Sequence, residues 1–178
     1  MASAPQKQQE ENKQVIRQFF ELLDRHDTER MGQLLISSSN YSFHPSGLPS
    51  MDWNAHKQLL DIVTRAFPDL CHNIIDLVAE GNKVAVRMNV TGTHKGEFQG
   101  IPPSGRSVSL DEMAFVTIMD GKITEGRIIS DTMSFMQQIG AVPTDAYADN
   151  SLRDSRGNSL RDSRGNSLRD SRGNNTNS

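Results

Sequence analysis

Two stretches hold the side chains best suited to chemistry. Gly92 to Gly105, GTHKGEFQGIPPSG, sets His94 and Glu97 among four glycines and two adjacent prolines. Gly121 to Asp131, GKITEGRIISD, is an alternating run that ends on an aspartate. On the run from Lys83 to His94, Val84, Val86, Met88 and Val90 share one face, and their phase carries His94 inward. On the run from Lys122, Ile123 and Ile129 mark the odd positions as apolar, which places Glu125, Arg127 and Asp131 on the same inward face. Buried charges need partners, so Arg127 is expected to pair with Glu125, Asp131 or Glu97. An aspartate in an apolar pocket has a raised pKa and can act as general acid or base near neutral pH. His94 could orient it or polarise a substrate carbonyl. Position alone equally allows Asp131 to cap a closing helix that starts at Thr132, and for His94 taken alone it favours a satisfied structural histidine at a strand end over a catalytic one.

His44, on a short strand beside the Pro45 to Pro49 loop, could reach the same pocket. His44, Arg127, Glu125, Phe98, Met88 and Phe115 are the expected substrate-binding set, with Asp131 and His94 the catalytic one. Met113, Met119, Met133 and Met136 are expected in the lining or the core, since methionine fills irregular apolar gaps. His56 is expected at a surface or rim, His72 at a core edge, and Cys71 as a small buried hydrophobe.

The elements that must position these groups can be read from periodicity. Glu10 to Leu23 carries Val15, Ile16, Phe19, Phe20, Leu22 and Leu23 at helical spacing. Asp27 or Thr28 can cap a short helix from Glu29 to Leu35, and Asp52 or Asn54 a third from Ala55 to Phe67, stopped by Pro68. Tyr41 to His44 alternates as a short strand. Strands are then expected over Leu70–Ala79, Lys83–His94, Ser107–Met119 and Lys122–Asp131, with turns at Glu80-Gly81-Asn82 and Asp120-Gly121. Thr132 to Ile139 closes the domain as a helix ending at Gly140. Helices first and an antiparallel meander after is the α+β class. Helices on one face of a strongly curved sheet would leave a cavity between the layers.

The chain has 178 residues, enough for one core. Asn150 to Gly173 is NSLRDSRG written three times. Each copy has one apolar residue, so residues 144–178 are expected to form a disordered tail, and 1–9 a flexible N-terminus around a domain of 10–143. A basic arm and an expanded repeat without a role both fit that tail. Six of the 19 Lys and Arg and three of the 22 Asp and Glu lie in the last 29 residues, leaving 13 against 19 in the rest. That acidic balance argues against nucleic acid as a partner. No apolar run approaches the roughly 20 residues of a membrane span. The polar N-terminus does not read as a secretory signal, so a cytoplasmic location is expected. One cysteine excludes an intrachain disulfide and a Cys-based zinc site. The glycine run lacks GxGxxG order, and neither a GxSxG elbow nor an HExxH helix occurs.

His44-Pro45, MDWNAHKQLL at Met51, AFPDL at Ala66, GTHKGEFQGIPPSGRSV at Gly92 and DGKITEGRIISDTMSFMQQIG at Asp120 together resemble the SnoaL-like branch of the NTF2-like superfamily. Its members are often named polyketide or ester cyclases. The resemblance runs from Lys13 to Pro143 and excludes the tail. It implies a cone: a curved antiparallel sheet wrapped around helices, a deep apolar pocket, and a homodimer through the sheet. In characterised cyclases of this family a late aspartate is the general acid/base of an intramolecular aldol closure, without metal or cofactor. The resemblance implies that role for Asp131. Two positions depart from the pattern. Relatives commonly carry a large aromatic at Arg127 and a His or other polar residue at Gly126. Arg127 could bind an anionic substrate group. The expected function is a cofactor-independent enzyme acting on a small apolar carbonyl compound. A non-catalytic small-molecule binding protein with the same pocket, or an epoxide or ester hydrolase, are the alternatives.

Overall fold

Helix α1 spans Ala4–Asp24 in the computed structural model, which describes residues 3–37 and 39–143. The three NSLRDSRG copies lie outside those residues. The helix starts six residues before the expected Glu10, for a reason that apolar periodicity cannot register. The Ser3 N–H donates to Gln6 Oε1 at 2.9 Å and Pro5 sits in the first turn, so the start is capped locally. Its first half is anchored by a polar residue: Asn12, 1% exposed, donates Nδ2 to the Gly81 carbonyl at 3.1 Å. The second half buries Ile16, Phe20 and Leu22, each contributing roughly 1.5–3 kcal/mol by removal from water.

Asp27 caps α2 (Thr28–Gln33) by accepting the Arg30 N–H, and Asp52 caps α3 (Trp53–Ala66) by accepting the Ala55 N–H. Strand β1 is Ser42–His44. Then follow β2 (Cys71–Glu80), β3 (Lys83–Thr93), β4 (Ser107–Met119), β5 (Lys122–Ser130) and α4 (Thr132–Ile139). They form one five-stranded sheet, in the order β1-β5-β4-β3-β2. All pairs are antiparallel except β1 with β5. The sheet is curved and unclosed, and the helices pack on its inner face. The expected α+β class and the helix-then-meander order are what the chain adopts.

The inner face follows from alternation. On β3, Val84, Val86, Met88 and Val90 are buried while Lys83, Arg87 and Thr91 are exposed. On β4 the buried set is Val108, Leu110, Ala114, Val116 and Ile118. On β5 the alternation breaks. The register slips opposite Thr117 and Ile118, so Ile118 pairs Ile123 but Thr117 pairs Glu125. One extra residue inverts the phase of everything after it. Ile123 and then Gly126 are buried, whereas Ile129 is 62% exposed. Glu125, Arg127 and Asp131 are therefore not on the inward face that Ile123 predicts.

The outer face carries Val78, Met113, Phe115, Met119 and Ile129, all exposed. Phe115 is thus on the side of the sheet away from the helices, and Met113, Met119 and Met133 are outside the core. Cys71 is exposed rather than buried, because β2 alternates with His72, not Cys71, on its inner side. A second cluster of Ala66, Phe67, Phe98, Val108 and Ile139 closes the end of the fold where α3 meets α4. The glycine run seals that end. The N–H groups of Lys95 and Gly96 both donate to the Ala66 carbonyl, at 2.9 and 3.0 Å. A Cβ on Gly96 would stand 2.2 Å from the Arg65 carbonyl oxygen, so only glycine allows the approach.

Candidate functional site

Between the helices and the concave side of the sheet lies a cavity of about 590 Å³. Its walls are mostly apolar: Phe19, Phe20 and Leu23 from α1, Phe43 from β1, Leu59, Leu60 and Val63 from α3, Val90 from β3, Leu110 and Ala114 from β4, Ile128 from β5, and Phe135 and Met136 from α4. Such a space takes a small apolar molecule and leaves orientation to a few polar groups.

One of those groups is Glu112, on the inner phase of β4 between Leu110 and Ala114. Its neighbours across the strands are Met88 and Ser130. Ser130 Oγ donates to Glu112 Oε1 at 2.6 Å, leaving the second carboxyl oxygen without a described partner. Burial raises the Glu112 pKa, against smaller opposing effects from the Ser130 hydrogen bond and nearby His72. The carboxyl is thereby biased toward the protonated form, which can donate.

His72 lines the same cavity from the second position of β2. Asp24, the last residue of α1, accepts both the His72 backbone N–H, at 3.1 Å, and its ring Nδ1, at 2.6 Å. A carboxylate accepts only, so Nδ1 carries the hydrogen and Nε2 is the nitrogen free to exchange a proton. No described residue bonds Nε2.

A second polar pair lies further along the cavity. Tyr41 Oη and His56 Nδ1 are 2.9 Å apart, and the His56 ring stacks on Phe43 with centroids 3.8 Å apart. Both residues line the cavity and both are buried. Burial pushes the Tyr41 phenol up and holds His56 down, to about 4, so the pair is uncharged at neutral pH. Among the described residues no group of three or more His, Cys, Asp or Glu is arranged to hold a metal ion.

A family model for SnoaL-like polyketide cyclases matches residues 13–139. The chain belongs to this family. Its sheet and helices are the NTF2-like fold. AclR, a candidate hydroxylase from Streptomyces galilaeus, is 25% identical, with a TM-score of 0.69 over 76% of this chain and 84% of AclR. IdmH, a candidate polyketide cyclase from Streptomyces antibioticus, is 26% identical, with a TM-score of 0.65 over 72% of this chain and 98% of IdmH. A candidate SnoaL-like polyketide cyclase from a Jannaschia species shares the fold at 20% identity, with a TM-score of 0.70 over 80% of this chain and 99% of its own. No curated protein sequence matches significantly.

Within this SnoaL-like cone the expected site residues separate. Phe98 is on the cavity wall. Arg127 touches its edge, but the side chain is 56% exposed and lies 3.6 Å from Glu125. The expected Arg127–Glu125 pair does form, with His44 Nε2 3.5 Å from the same carboxylate oxygen. These three are adjacent in the β1–β5 register, and neither His44 nor Glu125 lines the cavity. Asp131 is exposed, outside the lining, and accepts the Ser134 N–H at 2.9 Å as the cap of α4. The phase inversion on β5 accounts for the placements of Glu125, Arg127 and Asp131.

His94 does point inward, as its strand predicts, and is fully buried. It stacks on Phe67 at 5.1 Å, takes the Ser104 N–H on Nδ1 at 3.3 Å, and is not part of the cavity wall. Its Nε2 is fully buried without a described partner. Met88 is fully buried core and does not line the cavity. His56 is buried, not at a surface, and His72 has the partners that its local sequence does not disclose.

Glu112, His72, Asp24, Tyr41 and His56 are the groups that sequence reasoning missed. One signal was present: Glu112 sits in register with Val108, Leu110, Ala114 and Val116, a carboxylate on an apolar phase.

Proposed function

We propose that this SnoaL-like protein is a cofactor-independent acid/base enzyme acting on a small, largely apolar carbonyl compound, with Glu112 and His72 as its proton-transfer pair. The observation that carries this reading is the Glu112 carboxyl: inside an apolar cavity, bonded on one oxygen by Ser130, and with a raised pKa. A carboxyl group biased toward its protonated form can, when it holds the proton, hydrogen-bond a carbonyl oxygen and stabilise the charge that develops there. His72 Nε2, with Nδ1 fixed on Asp24, takes a proton from the adjacent carbon. Where the substrate holds a second carbonyl within reach, the enol carbon forms the new C–C bond. The second oxygen takes a proton, and the reaction is an isomerisation that needs no co-reactant. The cavity supplies the folding of the chain that brings the two carbons together.

The family's aspartate role maps to Asp131, but its carboxylate caps α4 outside the cavity, which favours Glu112 for the proton transfer. The hydrolase alternative needs Glu125 or Asp131 within hydrogen-bonding reach of Arg127 and of one water, and neither carboxylate lines the cavity, which does not support it.

The test is α-deuteration of 2-decanone in D2O, followed by NMR. The wild-type protein should accelerate exchange, and Glu112→Gln should lower it about 10²–10³-fold, the usual scale of one acid/base group. Binding of the ketone without accelerated exchange would contradict the enzyme reading and leave a carrier. A homodimer through the outer sheet face belongs to the same proposal, because Val78, Phe115 and Ile129 are 65%, 56% and 62% exposed there. Phe115→Lys is expected to convert a dimer to a monomer by light scattering; an unchanged mass would contradict it.

A further inference from the structure

The Tyr41–His56 pair has no part in the proton transfer, although both side chains line the cavity. We infer that this pair is a second binding subsite, for a neutral oxygen at the far end of the ligand. The substrate class is then an apolar skeleton carrying two carbonyl-type oxygens. The inference rests on the reading of Glu112 and His72 for the first oxygen.

Three observations converge on it. The pair is built to donate without charge. Tyr41 Oη and His56 Nδ1 share one hydrogen bond, and whichever tautomer the neutral imidazole holds, the pair keeps one further donor, the Tyr41 O–H or the His56 Nε2–H, that no described residue accepts. The charge of the subsite is also wrong for an anion. Of Lys and Arg, only Arg127 is among the lining residues, and its guanidinium is near Glu125. A carbonyl or hydroxyl oxygen suits such a donor better than a carboxylate.

The third observation is room. Gly126 faces inward on β5 beside the pair. A Cβ there would be 3.4 Å from the Phe43 ring and 3.8 Å from Tyr41 Oη, ordinary contact distances, and the backbone is not in the left-handed region. Neither sterics nor φ demands glycine, and glycine in a strand costs roughly 0.5–1 kcal/mol. What its absent side chain leaves is space in front of the Tyr41 hydroxyl. Gly126 and Ser130, which holds Glu112, are four residues apart on β5. At about 3.3 Å per residue the two polar ends are at most roughly 13 Å apart, and side chains reaching in from both shorten the gap. A chain of about nine bonds between oxygens, as in 2,9-decanedione, spans it.

The experiment compares the affinities of 2-decanone, 2,9-decanedione and 9-oxodecanoate for the full-length protein by calorimetry. One added hydrogen bond should make the dione bind about 5–10-fold more tightly than the monoketone, with no gain for the carboxylate. Gly126→Val, which fills the subsite with a residue suited to strands, should erase the preference while 2-decanone binding stays within about threefold. Should Gly126→Val fail to fold, Tyr41→Phe should cut the preference at least by half.

Equal affinities for the two ketones, including no measurable binding of either, would overturn the subsite. So would a preference that survives both substitutions, or tightest binding of the carboxylate. The two readings fail separately. A dione preference without wild-type α-deuteration keeps the subsite and removes the acid/base pair. Deuteration that is lost in Glu112→Gln, with equal affinities, does the reverse.

Discussion

The glycine run from Gly92 to Gly105 and the cavity wall formed by Glu112, His72 and Ser130 are opposites. The run is conspicuous in sequence, yet apart from Phe98 and Gln99 on the cavity wall its work is mechanical. Gly96 lets the chain touch the end of α3, and His94 is packed on Phe67 away from the cavity. The wall is inconspicuous, yet it holds a half-buried carboxyl and an oriented imidazole. Unusual backbone demands mark a sequence strongly because few residues meet them. A catalytic group needs only its own side chain, placed on the wrong-looking phase of an apolar strand.

The largest effect that can test this contrast is on the mechanical side. Gly96→Ala would force a Cβ to 2.2 Å from a backbone oxygen, so the α3–loop contact must shift. A loss of about 3 kcal/mol or more in urea unfolding is expected, in the range of severe core disruptions; a loss below about 1 kcal/mol would show that the loop adapts.

Next is a pH effect on the cavity side. The folded-state pKa of His56 is depressed from 6.5 to about 4. Its neutral, buried state contributes stability that is present above pH 6.5 and is lost as pH falls through 4. The scale is about 3 kcal/mol. Glu112 acts in the opposite sense, since its raised pKa favours the folded state most at low pH and the benefit fades as pH rises. His56→Asn should flatten the acid limb of urea midpoints taken at pH 7, 5.5 and 4.5. An unchanged limb would assign it to other groups.

A smaller effect is expected at Asp24. Asp24→Asn keeps the shape but no longer fixes the His72 tautomer. α-Deuteration should fall about 10–30-fold with the ketone's affinity nearly unchanged; an affinity loss with an unchanged rate would make Asp24 merely structural. The smallest effect belongs to Asp131→Ala, which removes the α4 cap. Stability should drop by about 1 kcal/mol and exchange by less than twofold.

Much of the fold was legible. The apolar phase of Val84 to Val90 and the caps at Asp27 and Asp52 are local signals, and local structure follows them. The site was less legible for two physical reasons. The phase of β5 was set from Ile123 and Ile129, which lie on either side of a one-residue register slip, so Glu125, Arg127 and Asp131 were assigned to the wrong face. Such a slip leaves little trace in KITEGRIIS. His72 and Asp24 are 48 residues apart and meet only because α1 ends where β2 begins. Tyr41 and His56 likewise meet across a loop and a helix turn. Glu112 was within reach of strand phase alone.

The most direct measurement is α-deuteration of 2-decanone by the wild type, Glu112→Gln and Asp131→Asn, side by side at one pH. Glu112→Gln should lose about 100-fold or more, and Asp131→Asn should stay within about threefold. The reverse ranking would contradict the placement of the acid/base group in the cavity.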